Sequence, residues 1–280
     1  MLWQILVFIS VISISIANLY QRIAMKEESS DAYAGAILFQ FILAILTGIF
    51  ALYKGFNIPP VTLTGYFIVS TILYGLGTLA YFKSIKLIEA SESIILGSIG
   101  SIITVITAFI FLGERLNSQQ LVGVILILLS MVAISLKKKI NFNRGTIYSL
   151  IGTTLYGLAV TNDVYLLQSY DAISYVPIMS FLPGLFLLSL KPSAIKSILM
   201  TIKQPSIRPL MLYCFFYGIQ AVTYYVAIES GALVSQMTLI SKAQIFLTVI
   251  LAAIFLGETD NLKKKIFSTL LATIGVYLLL

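Results

Sequence analysis

The chain has 280 residues, of which 59% are hydrophobic and only 10% are charged, and its formal net charge is +7. Because a soluble domain carries about 25% charged residues, most of this surface must face lipid rather than water. There is no histidine and only one cysteine, Cys214, which excludes an intrachain disulfide, a cysteine metal cluster and most hydrolase or metalloenzyme sites. We therefore expect no metal, no cofactor and no enzymatic activity.

Ten apolar segments are long enough to cross a membrane, since a spanning helix needs about 20 mostly apolar residues. Helices are predicted because they satisfy their own backbone hydrogen bonds in lipid, and because barrel-type alternation is missing. The first segment lacks the basic start and cleavage site of a secretory signal, so it is predicted to be a retained span. In chain order the segments cover residues 2–21, 33–53, 63–82, 91–112, 118–136, 146–167, 173–190, 209–228, 233–256 and 264–280.

The basic residues lie in short loops between these segments rather than in a polar patch, so no nucleic acid is expected as a partner. Fifteen of the 18 lysines and arginines fall in the loops after spans 1, 3, 5, 7 and 9. Cytoplasmic loops are enriched in such residues, so the bias predicts that both termini lie outside. We expect an integral protein of the cytoplasmic membrane of a prokaryote, with the lipid bilayer as its surroundings.

A motif is repeated along the chain. Residues 111–114 read Phe-Leu-Gly-Glu, and the same four letters recur at 255–258, which is an offset of 144. At this offset Asn18 falls on Asn162, and Tyr81 falls on Tyr225. The polar matches carry more weight than apolar ones in so apolar a chain. They indicate an internal duplication.

The duplication divides the chain at the basic loop near residues 137–144. Residues 1–140 then form a first repeat of five spans, and residues 145–280 form a second. Because five is odd, the second repeat enters the membrane upside down relative to the first. The predicted fold is an all-α membrane protein of ten helices, arranged as two inverted five-helix repeats around a central cavity. Secondary transporters commonly use this plan.

Two five-span halves, each with a Leu-Gly-Glu hairpin between its fourth and fifth spans, resemble the EamA family of the drug/metabolite transporter superfamily. Residues 81–92, which run from a tyrosine into the fourth span, are also similar to that family. The resemblance covers essentially the whole chain and implies ATP-independent movement of small metabolites through a ten-helix basket. This chain differs from the family in two respects. Residues 97–100 and 241–244 lack the proline that many members carry there. The family also implies cytoplasmic termini, against the charge bias.

Lys242 lies about eight residues into the ninth segment, roughly 12 Å along a helix at 1.5 Å per residue. A charge at that depth normally faces a cavity or a partner. Lys242 is therefore a candidate to bind an anionic group of a solute or to pair with a carboxylate. The structural alternative is an ion pair, or a lysine whose amine reaches the near interface.

Asn162 and Asp163 lie late in the sixth segment, with Asn18 at the matching place in the first. Asp163 has no basic neighbour in sequence, which favours a coupling site for a proton or ion, or a counter-charge for Lys242. The two asparagines are candidates to hydrogen-bond a solute. If the sixth segment ends early, Asp163 lies instead in water at the interface.

Tyrosines within the spans are candidates for a cavity wall, in particular Tyr81, Tyr156 and Tyr225. If several converge, an organic cation is held by cation–π contact, which favours an amine over a phosphate. The glutamates of the repeated tetrad, Glu114 and Glu258, are predicted to lie at the positive ends of spans 5 and 10.

The predicted function is secondary transport of a small polar metabolite, such as an amino acid, amine or organic anion. No Gly-Lys-Ser/Thr phosphate loop exists, so the chain does not bind ATP by that motif. Two alternatives remain: a membrane-embedded enzyme, for which Glu89 and Glu92 form a compact acidic pair, and a non-transporting membrane subunit or receptor.

Overall fold

The computed structural model describes residues 2–25, 31–88, 90–135 and 143–244, and beyond these the single positions 247, 251, 267, 270, 271, 274, 275, 277 and 278. Within the described helices a few side chains fall outside the description, among them that of Lys242. Most of the predicted tenth span, Glu258 of the second tetrad and Glu89 of the acidic pair also lie outside the described residues, as does the side chain of Glu92.

The described chain is helical throughout its ordered elements. Short 3-10 turns at Val61–Leu63 and Ser241–Ala243 precede α3 and follow α10. The α-helices are α1 (Leu2–Met25), α2 (Ala32–Lys54), α3 (Thr64–Leu87), α4 (Ala90–Phe111), α5 (Ser118–Ser135), α6 (Arg144–Leu167), α7 (Ala172–Leu190), α8 (Ala194–Ile202), α9 (Ile207–Glu229) and α10 (Val234–Ile240).

Five helical segments in this part of the chain are long and apolar enough to cross a membrane: α1, α2, the 61–87 segment that contains α3, α7 and α9. The first eight predicted segments each coincide with a helix, and the ninth begins where α10 begins. α6 is as long as α1. It is more polar because it carries Asn162 and Asp163 in its last two turns.

The short helix α8 was not predicted. It lies in the connection between α7 and α9, for which hydropathy predicts a loop. Its outward residues Ile195, Leu199 and Met200 are exposed, whereas Ala194 and Thr201 are buried. Nine residues are too few to span a bilayer at 1.5 Å per residue, so this helix is not a further span.

The core is built from helices of both predicted halves. α1 packs along α9, α3 packs along α6, and α2 packs along α7, so each main pair takes one helix from each half. α4 also lies against α6. The outward faces carry large apolar residues such as Ile49, Leu52 and Phe109, which are more than half exposed and suit contact with lipid tails.

Two glycines allow the close contact between α4 and α6. A Cβ on Gly100 would lie 2.7 Å from the backbone oxygen of Thr153, and one on Gly157 would lie 2.7 Å from the backbone oxygen of Gly100. Small residues at such positions let helix backbones approach each other in membranes. Backbone oxygens do not rotate away as side-chain tips do, so any larger residue must push the helices apart.

We expect Gly157→Ala to lower the free energy of unfolding by about 1–3 kcal/mol, the usual cost of overpacking. Thermal unfolding of the purified protein in detergent measures this change. Gly65→Ala is the matched control, because nothing lies within 4 Å of a Cβ placed there. If Gly157→Ala were as stable as the Gly65 variant, the close α4–α6 contact would be absent in the membrane protein.

Candidate functional site

A cavity of about 250 Å³, which we call the main cavity, lies between α1, α3, α4, α6 and α9 and the residues that follow α10. The lining side chains that the structure describes are uncharged. Five of them are tyrosines and four are amides: Tyr81, Tyr156, Tyr213, Tyr217 and Tyr224, with Asn18, Gln21, Gln220 and Gln244. Such a wall is rich in hydrogen-bonding groups and aromatic faces, which suits a small polar solute.

Three predicted site residues meet in the main cavity. Asn18 from α1, Tyr81 from α3 and Tyr156 from α6 all lie in its wall. The side-chain amide of Asn18 donates to Oε1 of Gln244 at 3.2 Å, which ties α1 to the chain beyond α10. Lys242 lies between lining residues of this cavity on the 3-10 turn, but its side chain is outside the described residues.

A second cavity of about 140 Å³, the small cavity, adjoins the first and shares Tyr156, Tyr217 and Tyr224 with it. Tyr74 and Tyr225 line it as well. Both volumes lie below the range of about 300–1,000 Å³ that holds drug-sized ligands. The two cavities therefore fit a small metabolite, with the shared tyrosines between them.

A hydrogen-bond chain holds one of the shared tyrosines. The amide of Gln40 donates to Oγ1 of Thr78 at 2.9 Å, and the hydroxyls of Thr78 and Tyr156 lie 2.7 Å apart. α2, α3 and α6 thus fix the Tyr156 ring between the two cavities. Nothing in the sequence singles out Thr78 for this role.

Asp163 lies behind the small cavity and is fully buried. Its Oδ2 accepts hydrogen bonds from Tyr74 at 2.5 Å and Tyr225 at 2.7 Å, and its Oδ1 accepts from Ser70 at 2.8 Å. The interfacial alternative for Asp163 is therefore wrong, because α6 continues past it and α3 and α9 cover it. We call these four residues, together with Asn162, the acid–tyrosine cluster.

Asn162 contacts helix α3 rather than either cavity. Its side-chain amide donates to the backbone oxygen of Tyr66 at 3.0 Å and to Oγ of Ser70 at 2.8 Å. It is not among the residues that line the two cavities. Asn18 and Asn162 thus occupy matching positions along the chain but differ in surroundings, and Asn162 positions the partner of Asp163.

Glu114 of the first tetrad caps α10, a helix of the predicted second repeat. It accepts hydrogen bonds from the backbone N–H groups of Val234 and Ser235, at 2.8 and 3.1 Å, and from the Ser235 hydroxyl at 2.5 Å. The prediction that Glu114 serves the positive end of span 5 is wrong. That end is capped by Asn117, which accepts a hydrogen bond from the N–H of Gln120 in α5. Glu114 instead stabilises the positive end of α10.

A second polar contact joins the two predicted repeats at the same end. The side chain of Asn57, after α2, donates to Asp171 at 2.9 Å, and its backbone oxygen accepts from Tyr170 at 2.5 Å. Asp171 also caps α7 by accepting from the N–H of Ser174. Burial tends to raise the pKa of Asp171, but the hydrogen bonds from Asn57 and Ser174 outweigh it and hold the pKa below its ordinary value. Burial raises the pKa of Tyr170 to about 12, so its hydroxyl keeps its proton.

Comparison with known proteins gives the family. The model of the EamA-like transporter family matches residues 1–136. An uncharacterized protein of Methanocaldococcus jannaschii is 31% identical in an alignment of 105 residues that covers 35% of this chain and 77% of that protein. A solved crystal structure shares the fold. It is similar over 99% of this chain and 95% of its own chain, with a TM-score of 0.77 and 13% sequence identity. The chain belongs to the EamA-like transporter family, and it is a membrane protein of the drug/metabolite transporter type.

Proposed function

We propose that the chain is a secondary transporter that moves a small polar metabolite across the cytoplasmic membrane of a prokaryote by alternating access. The observation that carries this proposal is the main cavity, whose described side chains are uncharged and rich in tyrosine and which is enclosed by helices from both predicted repeats. Membership of a transporter family favours this function over the membrane-embedded enzyme or the non-transporting subunit. The solute is an amino acid, an amine or an organic anion.

The helix pairs support two inverted repeats over residues 1–140 and 145–280. Adding the offset of 144 carries α1 onto α6 and α3 onto α9. The pair α1–α9 therefore corresponds to the pair α6–α3, while α2 packs against its own counterpart α7. Such exchange is expected of a twofold arrangement in which ten spans rock around a central site.

The position of the cavities supports a state that is closed at one end. Gln21 and Tyr81 of the main cavity lie near the ends of α1 and α3, which lead to the basic loops. At the other end, two hydrogen-bonded contacts join the predicted repeats. Glu114 binds the N-terminus of α10, and Asn57 binds Asp171. If the charge bias gives the orientation, this state faces the cytoplasm.

The proposed roles follow from the geometry. Asn18, Tyr81 and Tyr156 bind the solute in the main cavity, and Tyr225 binds it in the small cavity. Asn162 acts through Ser70, and Asp163 is the group that couples transport to a proton or ion. Because the described walls offer aromatic faces and no charge, an amine is the preferred solute. Lys242 adds an anionic preference if its amine reaches the main cavity.

Screening a metabolite library for thermal stabilisation of the purified protein tests this function. A solute at 100 times its dissociation constant raises the stability by about 2.7 kcal/mol. We expect Tyr217→Leu, which changes both cavities, to weaken binding of an amine by roughly tenfold or more through lost cation–π contact. Tyr66→Leu is the matched control, because Tyr66 lines neither cavity.

The Lys242→Ala variant separates the solute classes. Loss of binding for an anionic solute in this variant assigns Lys242 to the site, whereas unchanged amine binding assigns recognition to the tyrosines. Uptake or release of the stabilising solute by proteoliposomes then establishes transport. A solute that binds but is never moved would contradict the transporter and favour a receptor.

A further inference from the structure

Three oxygens of the acid–tyrosine cluster form a closed triangle. Oδ2 of Asp163 lies 2.5 Å from the hydroxyl of Tyr74 and 2.7 Å from the hydroxyl of Tyr225, and the two hydroxyls lie 2.6 Å apart. All three separations are in the range of O–H···O hydrogen bonds. Each edge of the triangle therefore requires its own hydrogen atom.

Counting hydrogen atoms shows that one is missing if Asp163 is ionised. Tyr74 and Tyr225 supply one hydrogen each, and an ionised carboxylate is an acceptor only. Two hydrogens then serve three edges, and one pair of oxygens faces each other at hydrogen-bond distance with nothing between. A protonated carboxyl supplies the third hydrogen, so that each oxygen donates once and accepts once around the ring.

The other carboxyl oxygen is fixed as an acceptor, which places the extra proton on Oδ2. Ser70 donates to Oδ1 at 2.8 Å, and the Ser70 oxygen itself accepts from the amide of Asn162 at 2.8 Å. Because the serine hydrogen already points at Oδ1, that oxygen has no need of its own hydrogen. Ser70 and Asn162 are thus positioning residues for the proton on Oδ2.

The titratable groups that face Asp163 from neighbouring helices in the described part of the chain are phenols. Tyr74 approaches from α3, Tyr225 approaches from α9, and Tyr175 of α7 packs its ring against Tyr225 at 5.1 Å between centroids. The buried Tyr175 hydroxyl lies beside Asp163 without meeting hydrogen-bond geometry. Tyr217 and Tyr224 of α9 line the small cavity together with Tyr74 and Tyr225. No basic side chain contacts Asp163 among the residues described. A buried carboxylate without a cation is costly, which also favours the neutral form.

We propose that Asp163, Tyr74 and Tyr225 form a proton-binding site that holds one proton on Oδ2 of Asp163 in this conformation. Its part in coupling rests on the proposed transport function. The geometry favours a proton over a metal cation, because the hydrogens of the ring and of Ser70 already occupy the directions from which a metal would approach the carboxyl oxygens. A cation at the same place must displace at least one of them.

Release of the proton changes the wall of the small cavity. When the proton on Oδ2 passes to water, two hydrogens remain for three short contacts, and the oxygens of Tyr74 and Tyr225 repel each other. One phenol must then turn away from the ring. Both tyrosines line the small cavity, so a freed hydroxyl is offered to a solute there. Proton release and solute binding are therefore coupled through the same two side chains.

Infrared difference spectroscopy between neutral and alkaline pH tests the proposal on the purified protein in lipid nanodiscs. We expect the carbonyl stretch of a buried, protonated carboxylic acid at neutral pH, its loss at alkaline pH, and its absence in Asp163→Asn. Asp171→Asn is the matched control and keeps the band, because the pKa of Asp171 is already low. If Asp163→Asn does not fold, wild type grown with isotopically labelled aspartate assigns the band, since the chain has only four aspartates.

Two outcomes overturn the proton site. In one, wild type shows no protonated-acid band at neutral pH, and Asp163→Asn removes a carboxylate band instead. In the other, the band is present but Asp163→Asn retains it. Neither outcome bears on transport itself, which is judged by solute uptake in wild-type proteoliposomes. Failure of the proton site and failure of the transport function are thus read from separate measurements.

Discussion

Replacing Asp163 with alanine is expected to lower the free energy of unfolding by about 3 kcal/mol or more, because Ser70, Tyr74 and Tyr225 all lose a common hydrogen-bond partner. A buried polar group left without a partner costs about 1–3 kcal/mol, and three buried hydroxyls each lose one hydrogen bond here. The measurement is thermal or denaturant unfolding in detergent, followed by circular dichroism.

Two variants control this experiment. Asp163→Asn keeps an acceptor for Ser70 and offers an N–H group where the carboxyl proton would be, so we expect its stability to stay near that of wild type. Asp31→Ala removes a partly buried carboxylate, the N-cap of α2, and is expected to lower the free energy of unfolding by only about 1 kcal/mol. An Asp163→Ala protein as stable as the Asp31 variant would show that the cluster does not hold α3, α6 and α9 together.

Replacing Glu114 with alanine is expected to lower the free energy of unfolding by about 2–3 kcal/mol. The side chain accepts three hydrogen bonds at the N-terminus of α10, and bonds to a charged acceptor contribute about 1.5–3 kcal/mol each before water replaces them in part. Glu114→Gln keeps one acceptor oxygen and should lose less. Unfolding in detergent measures both changes.

Glu229→Ala is the matched control for Glu114, because Glu229 accepts a single and longer bond, from the N–H of Ala172 at 3.2 Å. We expect it to cost less than half as much. Equal costs for the two variants would mean that the charge at the start of α10 matters no more than any carboxylate at that end of the molecule.

Hydropathy predicted the helices well because lipid imposes a length and an apolar composition that are visible in the sequence. The helix α8 was missed for the same reason, since nine residues between two basic stretches do not register in a window of about 20. Its apolar residues Ile195 and Leu199 are spaced four apart, which a search for short amphipathic helices would have found.

The candidate site was predictable only in part. Asp163 was conspicuous because an ionisable residue in an apolar run is rare. Ser70 and Thr78 were not, because small hydroxyl residues in helices commonly bond their own backbone, as Thr71 does to Phe67. Only the register of α3 against α6 shows that Ser70 and Thr78 point elsewhere.

The predicted role of Glu114 was wrong for a related reason. A motif next to a helix start suggests a local cap, and the sequence gives no sign of which distant helix begins nearby. In the structure Asn117 already serves α5, which leaves Glu114 for α10. The first tetrad is therefore better understood as a link to a distant helix than as a feature of its own hairpin.

The interleaved helix pairs also constrain how the protein is made. α1 finds its main partner in α9, which begins at residue 207, so it must wait in the membrane while the ribosome adds most of the chain. Its polar side chains Ser10, Ser13 and Gln21 are buried in the finished molecule. Until α9 is made, α1 lacks its contacts with that helix. Contacts this distant in sequence slow assembly. We expect the early helices to be the ones that insertion factors and quality-control proteases meet first.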